Sequence, residues 1–308
     1  MRLGELRTAL VGALAERTAI ELAALTSATY AQREAAHLRR ALREPFARDD
    51  AYVAARVSSG ALDELTLAIP REDDFGARVA SVIAMWRAAP TRDDVRRELA
   101  RIESFYRARP EPLDVLSVHL LASQTREQRA LVELGFRADS FELVGAVRDG
   151  LRHLDARRHV APVGFTWTAM RFARDIDDVV RLEQRAHRNE PTSRVRLDAR
   201  GALAKVRDYY QRVSQAPHRV HLLRSGDRIV GLIAVFDRER HAVIGSISID
   251  PDFQGRGLAH VLYHRALTWM RRKELRYYVG GSTTTSVLAL SSKLGRKLRS
   301  SVWNRSIT

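Results

Sequence analysis

The sequence has no cysteine. Disulfides, thiolate metal sites and a cysteine nucleophile are therefore excluded, and a cytoplasmic protein is expected. No apolar run approaches the roughly 20 residues that a membrane helix needs. Glu5 and Glu16 interrupt the N-terminal stretch, which also lacks a small-residue cleavage pattern. It reads as a mature helix, not a signal peptide. The 10 histidines are scattered, with no HExxH and no carboxylates at ligand spacing, so no metal is expected. Acidic residues are outnumbered, 37 against 52 basic, for a net charge of +15. Such a balance suggests polyanionic partners, nucleic acid among them. The arginines, however, are spread along the chain beside Glu and Asp. No basic block is interleaved with aromatics in the way that tracks a phosphate backbone.

What is present is enough chain for two cores: 308 residues, 45% of them hydrophobic. Residues 1–44 read as helices rich in Ala, Leu and Arg, stopped at Glu44-Pro45. Strands are expected at 52–57 and 62–69, then a loop with Asp73, Asp74 and Gly76 and a helix over 77–88. A further helix starts behind Thr91. A strand at 113–122, a helix at 125–134 closed by Gly135 and a strand at 136–147 complete the first half. The second half restarts near Phe165. It reads strand, helix 175–187, helix 198–211, hairpin 219–236, strand 242–250, helix 257–272, strand 276–280, helix 286–294 and strand 298–303.

The stretch from His241 to Arg272 is the most informative. Ile247 and Ile249 alternate with Ser246 and Ser248 in a strand that ends at Asp250-Pro251. The loop Asp252-Phe253-Gln254-Gly255-Arg256-Gly257 follows. Leu258, Val261, Leu262, Leu267 and Met270 then recur at helical spacing. Glycines before a helix N-terminus let a ligand approach the main chain, and the free N–H groups there suit phosphate. The spacing is neither GxGxxG nor GxxxxGK[ST].

With Gln254, Gly257 and Ala259 in the pattern [QR]-x-x-G-x-[GA], after Ile247, Ile249 and Pro251, the stretch resembles the acetyl-CoA loop of the GCN5-related N-acetyltransferases (GNAT). The element order of the second half matches that fold almost throughout. A last strand has little chain left to form it: either the chain end is atypical or the other half supplies it. The halves also resemble each other. Residues 119–136 lie over 277–296, Leu134-Gly135 on Leu294-Gly295. Further upstream, Pro70, Phe75 and Val82 lie near Pro251, Phe253 and Val261, with one residue fewer in the loop. The fold class expected is α/β: two tandem GNAT-like domains, each a mixed, mostly antiparallel sheet flanked by helices. Residues 1–155 would be a degenerate copy without cofactor, its loop reading Gly76-Ala77-Arg78-Val79. Residues 156–308 would bind acyl-CoA.

The resemblance implies acyl transfer from acetyl-CoA to a primary amine on a small molecule or peptide. The pyrophosphate would lie on Gln254, Gly255, Arg256, Gly257, Leu258 and Ala259. The pantetheine arm would pair with the edge of Ile247 and Ile249, and the Ile249 N–H would polarise the thioester. The family's strand carboxylate falls at 243–245, which is apolar. His241 is the base candidate, with Glu239 and Asp237 as alternatives. The family's tyrosine acid falls on Ser291, a poor acid, and Tyr278 or Tyr277 would replace it. His187, Asn189, Glu190 and residues 282–285 would select the acceptor. A catalytically inactive acyl-CoA-binding module is the alternative, and a nucleic-acid- or ribosome-associated acetyltransferase the second alternative. Acceptor identity and oligomeric state are not legible.

Overall fold

The computed structural model describes residues 3–58, 61–72, 77–87, 89–156, 163–188, 202–238, 241–282 and 285–307. The chain divides into two compact units, residues 1–141 with 298–308, and residues 142–297.

The first unit begins with α1 (Leu3–Leu25) and α2 (Ala28–Arg43). Leu10, Val11, Leu14 and Leu42 are buried with Leu65, Leu67 and Ala84 of the sheet. The sheet contains β1 (Tyr52–Ser58), β2 (Ala61–Glu72) and β3 (Arg78–Arg87), which pair antiparallel in sequence. After α3 (Arg92–Arg107), β4 (Val115–Leu121) pairs parallel with β3 from Val79↔Val115 to Val82↔Val118. Helix α4 (Thr125–Glu133) follows, and β5 (Arg137–Ala146) leaves the unit partway along. The last strand here is β11 (Lys297–Ser306), antiparallel to β4 from Ser300↔Leu121 to Ser306↔Val115.

The second unit takes up residues 142–146 of β5 and then α5 (Val147–Asp155). Next come β6 (Phe165–Ala169), α6 (Phe172–Arg188), α7 (Ala202–Val213), β7 (Arg219–Ser225), β8 (Arg228–Arg238) and β9 (His241–Ile249). Helix α8 (Leu258–Arg272), β10 (Tyr277–Ser282) and α9 (Thr285–Lys293) complete it. Strands β6 to β9 pair antiparallel in order, β10 is parallel to β9, and β5 lies beside β10. Helix α8 buries Leu258, Val261, Leu262, Ala266, Leu267 and Met270, a stripe at helical spacing. Each large aliphatic side chain buried there contributes roughly 1.5–3 kcal/mol.

Each unit is thus a mixed, mostly antiparallel sheet flanked by helices, as expected. Three expectations need correction. Residues 78–87 form strand β3, not a helix. The strand is buried over most of its length, so its apolar run shows no alternation. The upstream alignment fails with it. The counterpart of β9 and α8 is β3 and α3, joined by residues 88–91 rather than 250–257. Asp73, Asp74, Phe75 and Gly76 lie outside the described residues. Finally, the division at 155/156 moves to 141/142. Leu151 and Leu154 of α5 are buried in the core of the second unit. Val147 N donates to Arg276 O (2.9 Å), and Leu143 O accepts from Arg296 (3.0 Å). The missing last strand of the second unit is supplied by the first half of the sequence.

The Leu-Gly match is carried by the same helix ending in both units. Gly135 and Gly295 have φ of +82° and +70°. Phe136 N donates to Leu131 O (2.9 Å) and Arg296 N to Ser291 O (3.0 Å).

Candidate functional site

The site is built on β9. Strand β8 pairs with it along its length, but β10 pairs only at residues 241–243, ending at Val279↔Val243. From Ile244 onward no strand is paired on that side among the described residues. A bulge sits at the same place. Val235 pairs with Ile244 and Ala234 with Ser246, so Gly245 is the extra residue. Glycine is required: a Cβ would collide with the Tyr209 hydroxyl and lie 2.6 Å from Phe236. Asp250 N donates to Val230 O of β8 (2.9 Å). Alternation along an antiparallel strand therefore turns the N–H groups of Ile249 and Ile247 toward the open edge. Their side chains pack against the core beneath α8.

The loop after β9 is braced by Asp250, which is fully buried. Its carboxylate accepts from Arg185 (2.7 Å), Arg228 (2.8 Å) and Asp252 N (3.2 Å). Two arginines and a backbone N–H thus compensate one buried carboxylate, which holds the turn 251–253 in place. Phe253 meets Phe165 edge-on at 6.0 Å, with Arg256 and Arg228 over its ring at 4.9 and 5.4 Å. Gly255 and Gly257 both have φ +76°, a left-handed conformation that glycine adopts without strain. No atom lies within 4 Å of either Cβ direction. Gly257 is the N-cap of α8; no side chain caps the helix, and its first turn has no acid. Open space, uncapped N–H groups and the positive dipole end fit a pyrophosphate.

Residues 177–289 match the model of the Acetyltransferase (GNAT) family. The second unit is a GNAT-family domain. Among solved structures the chain is similar to a GCN5-related N-acetyltransferase from Sphaerobacter thermophilus. The identity is 15%, covering 88% of this chain and 85% of that one, with a TM-score of 0.61. A tandem GNAT protein from the clavulanic acid biosynthesis pathway matches at 14% identity, 84% of each chain and TM-score 0.51. A functionally unknown conserved protein from Staphylococcus epidermidis matches at 9% identity, 83% of this chain, 96% of that one and TM-score 0.54. These likenesses establish the fold, two GNAT folds in tandem. No curated protein matches the sequence. Among the described residues no helix is long and apolar enough to cross a membrane, and no group of side chains could hold a metal.

The residues named for the loop form the connection between β9 and α8. Gln254 is exposed and donates to Ile249 O (3.3 Å), and Arg256 donates to Asp252 O (3.1 Å). Leu258 is buried, so only its backbone faces the loop. The expected catalytic side chains do not gather there. His241 lies six residues before Ile247, about 20 Å along the strand, where β9 is paired on both sides. Tyr278 is buried in the core under the Arg296 guanidinium, and burial raises its pKa. Ser291 is fully buried and accepts from Arg296 (2.9 Å). Arg296 also donates to Tyr263 Oη (3.1 Å) and Gly280 O (2.7 Å). The position of the family's acid is thus an internal hydrogen-bonding post. Tyr277 is half-buried, and Asp237 pairs with Ala242 at the start of β9. Glu239, Asn189, Glu190, residues 283–284 and the side chains of His187 and Thr285 lie outside the described residues.

The sequence reading missed Glu183. It is on α6, buried, and accepts from Ser246 Oγ (2.9 Å), Ser248 Oγ (2.9 Å) and the Tyr210 hydroxyl. Burial, and then the carboxylate, raise the pKa of Tyr210 far above its ordinary value. A signal was available: Ile176, Val179, Val180 and position 183 share one helix face. A glutamate there stands where an apolar residue belongs.

Proposed function

We propose that the second unit binds acyl-CoA, acetyl-CoA in the first instance, and transfers the acyl group to a primary amine. The observation that carries this reading is the pair of left-handed glycines before an uncapped helix, beyond a strand whose edge opens at Ile244. The pyrophosphate rests on the amides from Gly255 to Ala259, since Gln254 N already donates to Pro251 O. The pantetheine arm runs along the open edge of Ile247 and Ile249, whose N–H groups polarise the thioester carbonyl. The acyl-CoA supplies an activated carbonyl and a good leaving group. The first unit takes no cofactor, because its own side chains fill the corresponding positions.

The test is calorimetric titration of acetyl-CoA into the wild type and a Gly257→Glu variant. One equivalent is expected to bind the wild type. The variant should lose about 10²-fold or more in affinity, since its carboxylate faces the bound phosphates. Absence of wild-type binding, or a second equivalent that survives in the variant, overturns the reading. A catalytically inactive acyl-CoA-binding module is a second reading, favoured by the burial of Tyr278 and Ser291. Tight binding with no thiol release across an amine panel would establish it.

A further inference from the structure

Four observations converge on the bulge of β9. Glu183 is buried, yet three hydroxyls donate to its carboxylate. One of them, Ser246, is half-buried, adjoins the bulge residue Gly245, and neighbours Ile247 on the open edge. Gly245 itself is exposed. The Tyr209 hydroxyl, at that glycine, is buried without a hydrogen-bond partner among the described residues. A buried hydroxyl left unpaired costs free energy unless a ligand supplies its partner.

We propose that Glu183 is the proton acceptor for the incoming amine, acting through Ser246, with Tyr209 offering its hydroxyl to the acceptor. The inference rests on the acyl-transfer reading above. A primary amine is protonated at neutral pH and cannot attack as an ammonium. Ser246 Oγ takes a proton from the ammonium nitrogen while its own proton passes to Glu183 Oε1. The freed nitrogen pair attacks the thioester carbonyl carbon, the C–N bond forms and the C–S bond breaks. The second nitrogen proton goes to the departing sulfur, and Glu183 returns its proton to water. Glu183 is thus a positioning residue and Ser246 the group that meets the acceptor. The geometry favours a cationic primary amine over a neutral alcohol.

The experiment uses the full chain with acetyl-CoA and two kinds of acceptor. Phenethylamine, spermidine and an N-terminally free peptide are protonated at pH 7; hydroxylamine is not. The variants are Glu183→Gln, Glu183→Asp and Ser246→Ala. Calorimetry first establishes that each variant still binds acetyl-CoA. With the protonated amines, kcat should fall about 10²-fold or more in Glu183→Gln and in Ser246→Ala. Glu183→Asp should recover part of it, and hydroxylamine should be acetylated at close to the wild-type rate by all. Without acetyl-CoA, the wild type should bind the best amine more tightly than the corresponding alcohol, and Glu183→Gln should lose that preference. An equal loss with hydroxylamine, an unchanged kcat in both Glu183→Gln and Ser246→Ala, or no preference for amine over alcohol overturns the proposal. So does a wild type that binds acetyl-CoA and acetylates nothing in the panel, though the cofactor site then stands. Failure of the wild type to bind acetyl-CoA at all defeats the underlying reading instead.

Discussion

Helices α3 and α8 follow corresponding strands in the two units and begin in opposite ways. Thr91 caps α3, and Asp94 closes a capping box on it, accepting from Thr91 N (3.0 Å) and Thr91 Oγ1 (2.7 Å). These hydrogen bonds hold the Asp94 carboxyl well below the ordinary carboxylate range. Helix α8 begins at Gly257 with no side-chain cap. One N-terminus is already satisfied by a carboxylate of the chain; the other has no side-chain cap and no acid in its first turn. The strand edges differ in the same sense. Strand β3 also bulges, at Ile83, one residue past its last pair with β4. There Gln124 Nε2 donates to Met85 O (2.7 Å) and Oε1 accepts from Leu121 N (3.0 Å), bridging the gap. The cleft beside it is lined by Glu64, Asp94, Glu98 and Glu127, with Arg87 as the cation. These carboxylates are engaged by the chain's own arginines: Arg56 with Glu64 (3.5 Å), Arg97 with Asp94 (2.6 Å) and Arg101 with Glu98 (3.1 Å). A shared fold therefore does not carry a shared site: a few side chains can occupy the groups a ligand would use.

The comparison can be broken most severely by cutting the chain. A fragment of residues 156–308 lacks the strand residues 142–146 and helix α5, and keeps residues 298–308 that belong with the other unit. It should show no cooperative melting transition by circular dichroism. A sharp transition would mean that the division between units is wrong.

A smaller effect comes from one histidine in each unit. Burial, reinforced by Arg265 and Arg219, lowers the His221 pKa from 6.5 to about 3. Burial, with Arg71, lowers that of His119 from 6.5 to about 4. Both are neutral in the folded state where the unfolded chain binds a proton. Their contribution is complete above pH 6.5 and is lost as the pH falls, by about 1.4 kcal/mol per unit for each. His221→Phe should flatten the acid limb of stability against pH down to about pH 3. His119→Phe should do so only to about pH 4. Urea midpoints measured from pH 7 to about pH 2.5 decide it; an unchanged slope in either variant rejects the assignment for that unit.

The smallest effect tests the caps. Thr91→Ala should cost about 1 kcal/mol and leave acetyl-CoA affinity unchanged. A gain of a second binding equivalent in that variant would show that the cap alone keeps the first cleft closed.

The left-handed glycine turn before α8 was legible in the sequence because its parts are contiguous. Gly255, Gly257 and the apolar stripe of α8 report local backbone demands, and local demands are written in adjacent residues. The Leu-Gly helix endings were legible for the same reason. Strand β3 was not, because a strand buried on both faces loses the alternation that would identify it. The catalytic candidates failed for another reason. His241, Tyr278 and Ser291 were chosen by offset along the chain, while burial and strand pairing depend on distant elements.

Composition, the glycine loop and the element order determined by themselves that this chain folds as two GNAT-like units and which of them has a glycine turn before an uncapped helix. Tertiary structure alone decided the exchange of end strands, the Glu183–Ser246 pair 63 residues apart and the bridging of the first cleft by Gln124. Backbone conformation is set by a residue and its immediate neighbours. A buried charge, an unpaired edge or an occupied cleft exists only once segments far apart in the chain have packed together.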